Sequence, residues 1–185
     1  MTTILNFNRE GLLDVLPKHS LVAEIGVYRA EFSEKILKKT QPLNLFLIDA
    51  WKTMLDGENI DPRFESFYQE VKNKFKDNTN VFVIRKTSSE AADAITSLDW
   101  VYIDADHHYE PCLNDLRTYA PKVKEDGYIC GHDWVTKPKK GFGVNDAVNQ
   151  FVKENNYILV GLTNEDNFKS YIIAKTKQAA EKLIS

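Results

Sequence analysis

With 185 residues, the chain is long enough for a single domain with a core on both faces of a sheet. Its 43% hydrophobic and 28% charged content is that of a soluble globular protein, and no apolar run approaches the ~18 residues of a membrane span, so no membrane partner is expected. A formal net charge of −3 argues against a nucleic-acid partner held by phosphate neutralisation, while leaving room for a small local basic patch.

The first residues, MTTILNFNREG, lack the apolar core of a signal peptide. The two cysteines, Cys112 and Cys130, fall in a helix-like and a strand-like segment rather than a metal-type cluster. A reducing, cytoplasmic setting is the expectation. With no linker or repeat, residues 1–185 read as one domain: a short cap (1–20), a core (21–175) and a terminal helix (176–185).

In chain order, a helix at 8–16 is broken by Pro17, and a strand at 21–26 feeds a helix at 30–39 whose Phe32, Ile36 and Leu37 share a face. Pro42 precedes a strand at 45–49, a polar loop spans 52–61, and Pro62 suits the first turn of a helix at 63–76. Further strands are predicted at 81–84, 100–104 and 128–131, with helices at 88–94, 111–120 and 145–154 between and after them. A Lys-, Pro- and Gly-rich loop (137–143) precedes the last of these helices. Two final strands, 157–161 and 168–174, are joined by the turn 163–167, too short for a crossover, and so pair as a hairpin. The expected fold is α/β: a seven-stranded, doubly wound, mostly parallel sheet with a C-terminal antiparallel hairpin.

The run LVAEIGVYRA ends in an acid and a glycine, and LFLIDAW follows about 20 residues later, ending at Asp49. A glycine turn lets a ligand approach the backbone, and a spaced acid suits ribose hydroxyls, as in sites for adenosine-containing cofactors. Glu24, Asp49, Asp104 and Asp133 all fall at or just past predicted strand ends, where open sheets of this class bind ligands. Any one of these acids reads equally well as a helix cap or a solvated loop residue. Together they suit a ligand bearing hydroxyls and positive charge.

The segments AEIGVYRA, LIDAW, WVYIDADHHYE and DGYICGHDW resemble the class I S-adenosylmethionine-dependent methyltransferases, which have a Rossmann-like fold. Among these the chain looks most like the small-molecule O-methyltransferase-like proteins with an I-D-A/G-D-H-x-Y motif. The resemblance covers roughly residues 20–175. It implies that Glu24 and Gly26 form the cofactor turn, with Val27 and Tyr28 near the methionine moiety. Asp49 would take the ribose hydroxyls, Trp51 would lie near the adenine or the pocket mouth, and Thr87 or Ser88 would contact adenine. Asp104 would face the transferred methyl. Arg29-Ala30 stands where the family commonly has a further glycine.

Methyl transfer from a sulfonium requires the acceptor to be aligned and, for a hydroxyl, deprotonated. His107 is the preferred base because the family motif carries a histidine there; ordering the loop or contacting the cofactor is its other reading. His108 is expected to be exposed, and His132 either contributes to the site or packs at the strand end. In catechol-type relatives a strand-four aspartate and a pair after strand five bind magnesium. Here Asp104 and Asp133 match two of those positions, while His132 and Trp134 flank Asp133 where the third oxygen ligand is expected. With His132 as the third ligand the site would suit manganese, iron or zinc, so a divalent metal enters as a second cofactor to be tested beside S-adenosylmethionine.

Lys137, Lys139 and Lys140 form either a solvated basic loop or a flap that attracts an anionic acceptor. The aromatic face of the 63–76 helix is either core or acceptor pocket, and Trp51 and Trp134 either pack or stack at the mouth. The expected partner is a small sugar, polyketide-like or phenolic acceptor, and the short cap leaves either an open pocket or one that a second subunit of a homodimer would complete. Two other functions fit the pattern less well: a cofactor-binding regulatory protein without transfer activity, and a nicotinamide-dependent oxidoreductase, which lacks support from a clear G-x-G-x-x-G.

Overall fold

The computed structural model describes residues 2–52, 61–137 and 139–184, so most of the loop predicted at 52–61 lies outside the described residues. The first half comprises α1 (Arg9–Val15), β1 (Leu21–Ile25), α2 (Glu31–Thr40), β2 (Asn44–Asp49), α3 (Arg63–Lys74) and β3 (Val81–Arg85). The second comprises α4 (Ser88–Ala91), β4 (Leu98–Ile103), α5 (Tyr109–Tyr119), β5 (Val123–Val135), α6 (Val144–Asn155), β6 (Ile158–Leu162), β7 (Phe168–Ala174) and α7 (Lys177–Ile184).

The seven strands form one sheet in the order β3-β2-β1-β4-β5-β7-β6. All neighbours are parallel except at β7, which runs antiparallel to both β5 and β6; the short connection requires this of the β6–β7 pair. Alternation along each buried strand feeds two cores. Val22, Leu45, Leu47, Trp100 and Tyr102 face α1, α2, α3 and α7. Ala23, Ile25, Ile48, Val101 and Ile103 face α4, α5 and α6.

Local chemistry sets the helix boundaries. The Asn8 side chain accepts from Gly11 N at 2.9 Å and starts α1. Lys38 and Lys39 end α2 where cations complement the helix dipole. Thr87 and Glu90 close a reciprocal capping box on α4.

One strand differs from its prediction. β5 spans 13 residues rather than the apolar 128–131 alone, because pairing with β4 already begins at Val123 and pairing with β7 resumes at Trp134 after a break beyond Gly131. His132 and Asp133 are the residues in that irregularity, with Asp133 at φ +61°. A bulge of this kind leaves residues unpaired and re-aims their side chains.

Candidate active site

Strand register builds the site. Ile48, Ile25, Ile103 and Gly131 stand side by side across β2, β1, β4 and β5. The next residues, Asp49, Gly26, Asp104 and His132, therefore emerge together at the carboxyl edge, where β1 and β4 mark the reversal of strand order. An open cleft of about 620 Å³ lies there, lined by Gly26, Tyr28, Asp49, Ser88, Asp104 and His107 among others.

Asp49 grips the turn after β1. Its Oδ2 accepts from Val27 N and Tyr28 N, both at 2.9 Å, and its Oδ1 accepts from Trp51 N at 2.7 Å. A carboxylate has about four acceptor directions, so this one keeps capacity for a ligand hydroxyl. Gly26 sits at φ +88°, and a Cβ there would lie 2.1 Å from Asp104 O, so glycine is needed for contact between the β1 and β4 ends as well as for the turn. Tyr28 and Ala30 also take positive φ. Ala30, at φ +62°, occupies the position where the family commonly has glycine and starts α2 at Glu31.

Two predicted cofactor contacts lie elsewhere. Glu24 is not in the turn but inside β1, 1% exposed, accepting from Ser33 Oγ of α2. Its side chain falls on the sheet face opposite that of Ile25, and burial pushes its carboxyl up to about 8. Trp51 is fully buried rather than at the mouth: its indole donates to Tyr28 O at 2.8 Å and packs on Tyr68. Trp134 is likewise buried in the second core. On α3, Phe64 reaches the cleft, whereas Val71 and Phe75 are buried.

At the β4 and β5 ends, Asp104, His132 and Asp133 converge, with one potential ligand atom from each lying within 4.8 Å of the others. His132 Nδ1 stands 3.3 Å from Asp133 Oδ1 and 3.7 Å from Asp104 Oδ1. Burial raises the Asp133 carboxyl, but the His132 contact outweighs it and the net shift is downward. His107 lines the cleft, and its ring stacks on those of His108 (5.0 Å) and Phe142 (4.0 Å). Asp106 accepts from His108 N and contacts its Nδ1, and these bonds hold the Asp106 carboxyl low against the opposing effect of burial. The His108 side chain is well exposed, as expected.

Two site residues escaped the sequence reading. Arg9 of α1 donates to Asp104 Oδ2 at 2.5 Å, and its guanidinium lies 3.9 Å from the Phe32 ring centroid. Asp115 of α5 lines the cleft while 4% exposed, accepting from Ser88 Oγ, and burial pushes its carboxyl up to about 6. Each interrupts an otherwise apolar helix face, Arg9 with Leu12 and Leu16, Asp115 with Cys112 and Tyr119, and that is the signal a sequence carries. Thr87 and Ser88 border the same wall, and Ser88 O accepts from Tyr119 Oη at 2.7 Å.

The donor types of Asp104, His132 and Asp133 match a divalent ion, but the arrangement as built does not fit one. Arg9 already holds an Asp104 oxygen and supplies the positive charge there. For an adenosine-sized cofactor the fit is good: volume, glycine turn and Asp49 lie on one wall. Among the described residues, no helix is long and apolar enough to cross a membrane.

Comparison with known proteins adds a family. A family model described as a methyltransferase domain matches residues 23–134. An uncharacterized protein, R132, of Acanthamoeba polyphaga mimivirus is 28% identical over 135 residues, covering 68% of this chain; the match spans only 57% of that protein's length. Among solved structures, the precorrin-6y C5,15-methyltransferase of Geobacter metallireducens superposes with a TM-score of 0.67 at 13% identity, over 90% of this chain and 85% of that one. Aeropyrum pernix fibrillarin, with natively bound S-adenosyl-L-methionine, gives 0.64 at 11% identity, over 89% and 73%. The tRNA methyltransferase TrmK of B. subtilis gives 0.64 at 13% identity, over 95% and 69%. The chain belongs to the methyltransferase-domain family, and its fold is that of the class I S-adenosylmethionine-dependent methyltransferases.

Proposed function

We propose that this chain transfers the methyl group of S-adenosylmethionine to a hydroxyl oxygen of a small-molecule acceptor. The observation that carries the reading is Asp49, which binds three backbone N–H groups of the turns flanking the cleft and still faces it. Gly26, Val27 and Tyr28 would bound the methionine portion, Asp49 would take the ribose hydroxyls, and Thr87 and Ser88, with Asp115, would border the adenine. Asp104 would stand beside the transferred methyl. Trp51 would act indirectly, by fixing the Tyr28 carbonyl, and Glu24 by anchoring β1 to α2.

When bound, the cofactor supplies a methyl group already activated by its sulfonium. The chain's task is to align the acceptor and take its proton. His107 is suited to take that proton because it lines the cleft and its ring is oriented by stacking on His108 and Phe142. A second base is favoured by one observation: His132 Nδ1 is paired with Asp133, the arrangement of an oriented imidazole. Nothing in this sequence of events runs through a metal.

The net charge of −3 supports a small acceptor over a polynucleotide. Family membership favours methyl transfer over the nicotinamide reading. Calorimetry with S-adenosylhomocysteine, with NADH as control, tests the cofactor: micromolar binding of the first alone is expected, and its absence removes the reading. In an acceptor screen, His107→Ala should keep cofactor affinity and lose turnover by ~10²-fold or more. If His132→Ala alone does so, the base is His132; if both retain cofactor binding and the wild type turns over nothing, the chain is a cofactor-binding protein.

A further inference from the structure

The segment between β5 and α6 supplies Phe142 to the chemistry above, but its Lys137, Lys139 and Lys140, all exposed, take no part in it. None of the three is held in an ion pair among the described residues, whereas every arginine of the chain is committed to a carboxylate. Two hollows of about 420 and 300 Å³ share Val135, Thr136 and Lys139 and so form one trough. Its described lining residues include three lysines against a single carboxylate, Asp146, within a chain whose net charge is negative.

Lys139 is held by aromatic rings. Its Nζ stands 4.3 Å from the centroid of Phe142 and 4.5 Å from that of Phe168. Rings attract an ammonium through their quadrupole without neutralising it, so its charge stays available to an anion. Phe142 also lies flat against His107, 4.0 Å away with 14° between the planes, and Gly143 N donates to His107 O at 2.8 Å. The trough and the cleft are therefore back to back, with Phe142 on one side and His107 on the other.

We infer that the trough is an oxyanion-binding subsite for the acceptor, which carries a phosphate or carboxylate a short span from the hydroxyl that is methylated. The inference rests on the proposed reading of the cleft. Three lysines within four residues suit one compact anionic group, whereas a polynucleotide would need a longer track of cations.

Calorimetric titration of the full chain with inorganic phosphate, and separately with succinate, tests this, each with and without S-adenosylhomocysteine. One or both should bind the wild type, and Lys139→Gln combined with Lys140→Gln should weaken that binding at least ~10-fold. Lys153→Gln on α6 should leave it unchanged, and thermal melts confirm that the variants fold. Equal affinity of wild type and double variant for both probes overturns the subsite. So does tighter, steeply salt-dependent binding of a 15-nucleotide single-stranded RNA that the double variant loses, since the trough would then be part of a nucleic-acid track. Failure to bind S-adenosylhomocysteine with anion binding intact would remove the methyltransferase reading and leave an anion site.

Discussion

Arg9 brings a permanent positive charge to Asp104, the carboxylate that borders both the cleft proposed for the cofactor and the histidine cluster. A unit charge at ~4 Å contributes on the order of 4 kcal/mol at an effective dielectric of 20, enough to decide whether a second cation joins. Arg9→Met should therefore create affinity for Mn²⁺, at least ~10-fold above wild type, read by calorimetry or electron paramagnetic resonance. EDTA should leave S-adenosylhomocysteine binding to the wild type unchanged. Equal Mn²⁺ affinity in the two proteins would return Asp104, His132 and Asp133 to the status of a metal centre. Glu24 gives a prediction of a different kind. Its buried carboxyl titrates at about 8 in the fold against ~4.3 in the unfolded chain, so folding favours the protonated acid. That contribution is complete below the unfolded value and is lost as pH rises through the folded one. Urea unfolding should show Glu24→Gln gaining on the wild type between about pH 4.3 and 8, by up to ~1.4 kcal/mol per pH unit, and levelling off above. A gap that shrinks with pH would mean that Glu24 is ionised and stabilised by Arg9 instead.

At the scale of elements, two glycines with similar backbones separate turn geometry from contact. Gly26 and Gly141 lie at φ +88° and +86°, but a Cβ on Gly26 would strike the Asp104 backbone, whereas one on Gly141 meets only His108 Nε2 at 3.6 Å. Gly26→Ala should cost about 3 kcal/mol or more of unfolding free energy and Gly141→Ala about 1, by denaturant titration. Similar losses in both would show that backbone strain alone sets the requirement at Gly26. The same comparison marks what a sequence discloses. Apolar runs ending in Asp49 and Asp104 made the strands and their shared edge readable, because period and strand-end position are local properties. The bulge at His132 and Asp133 was hidden, since it exists only where β5 pairs with β7 and polar residues there read as loop. Trp51 misled for a related reason: two residues after Asp49 in sequence, it turns at φ +42° into the core beneath Tyr28. Arg9, some 95 residues from Asp104, meets it only through the packing of α1 on α2.

Across the whole molecule, the cleft is made by both halves of the sheet, with Gly26, Asp49 and Ser88 following the strands of one and Asp104 and Asp115 following β4 of the other. No single helix or hairpin contains it, so a ligand there binds the folded chain and not the unfolded one. Linkage then sets the size of the response: at a hundred times its dissociation constant, a ligand adds ~2.7 kcal/mol. For a chain of this length each kcal/mol raises the melting temperature by about 2–4 °C, so S-adenosylhomocysteine should shift it by roughly 5–10 °C. NADH should give no comparable shift. Asp49→Ala removes the anchor of three backbone N–H groups and, on the proposed reading, the ribose acceptor, so it should melt lower without ligand and lose most of the ligand's increment. The two effects are separable because the first is read in the unliganded protein. A variant that melts lower but keeps the full increment would leave Asp49 as a brace for the turn, and the ribose would have to be held elsewhere along the same strand edge.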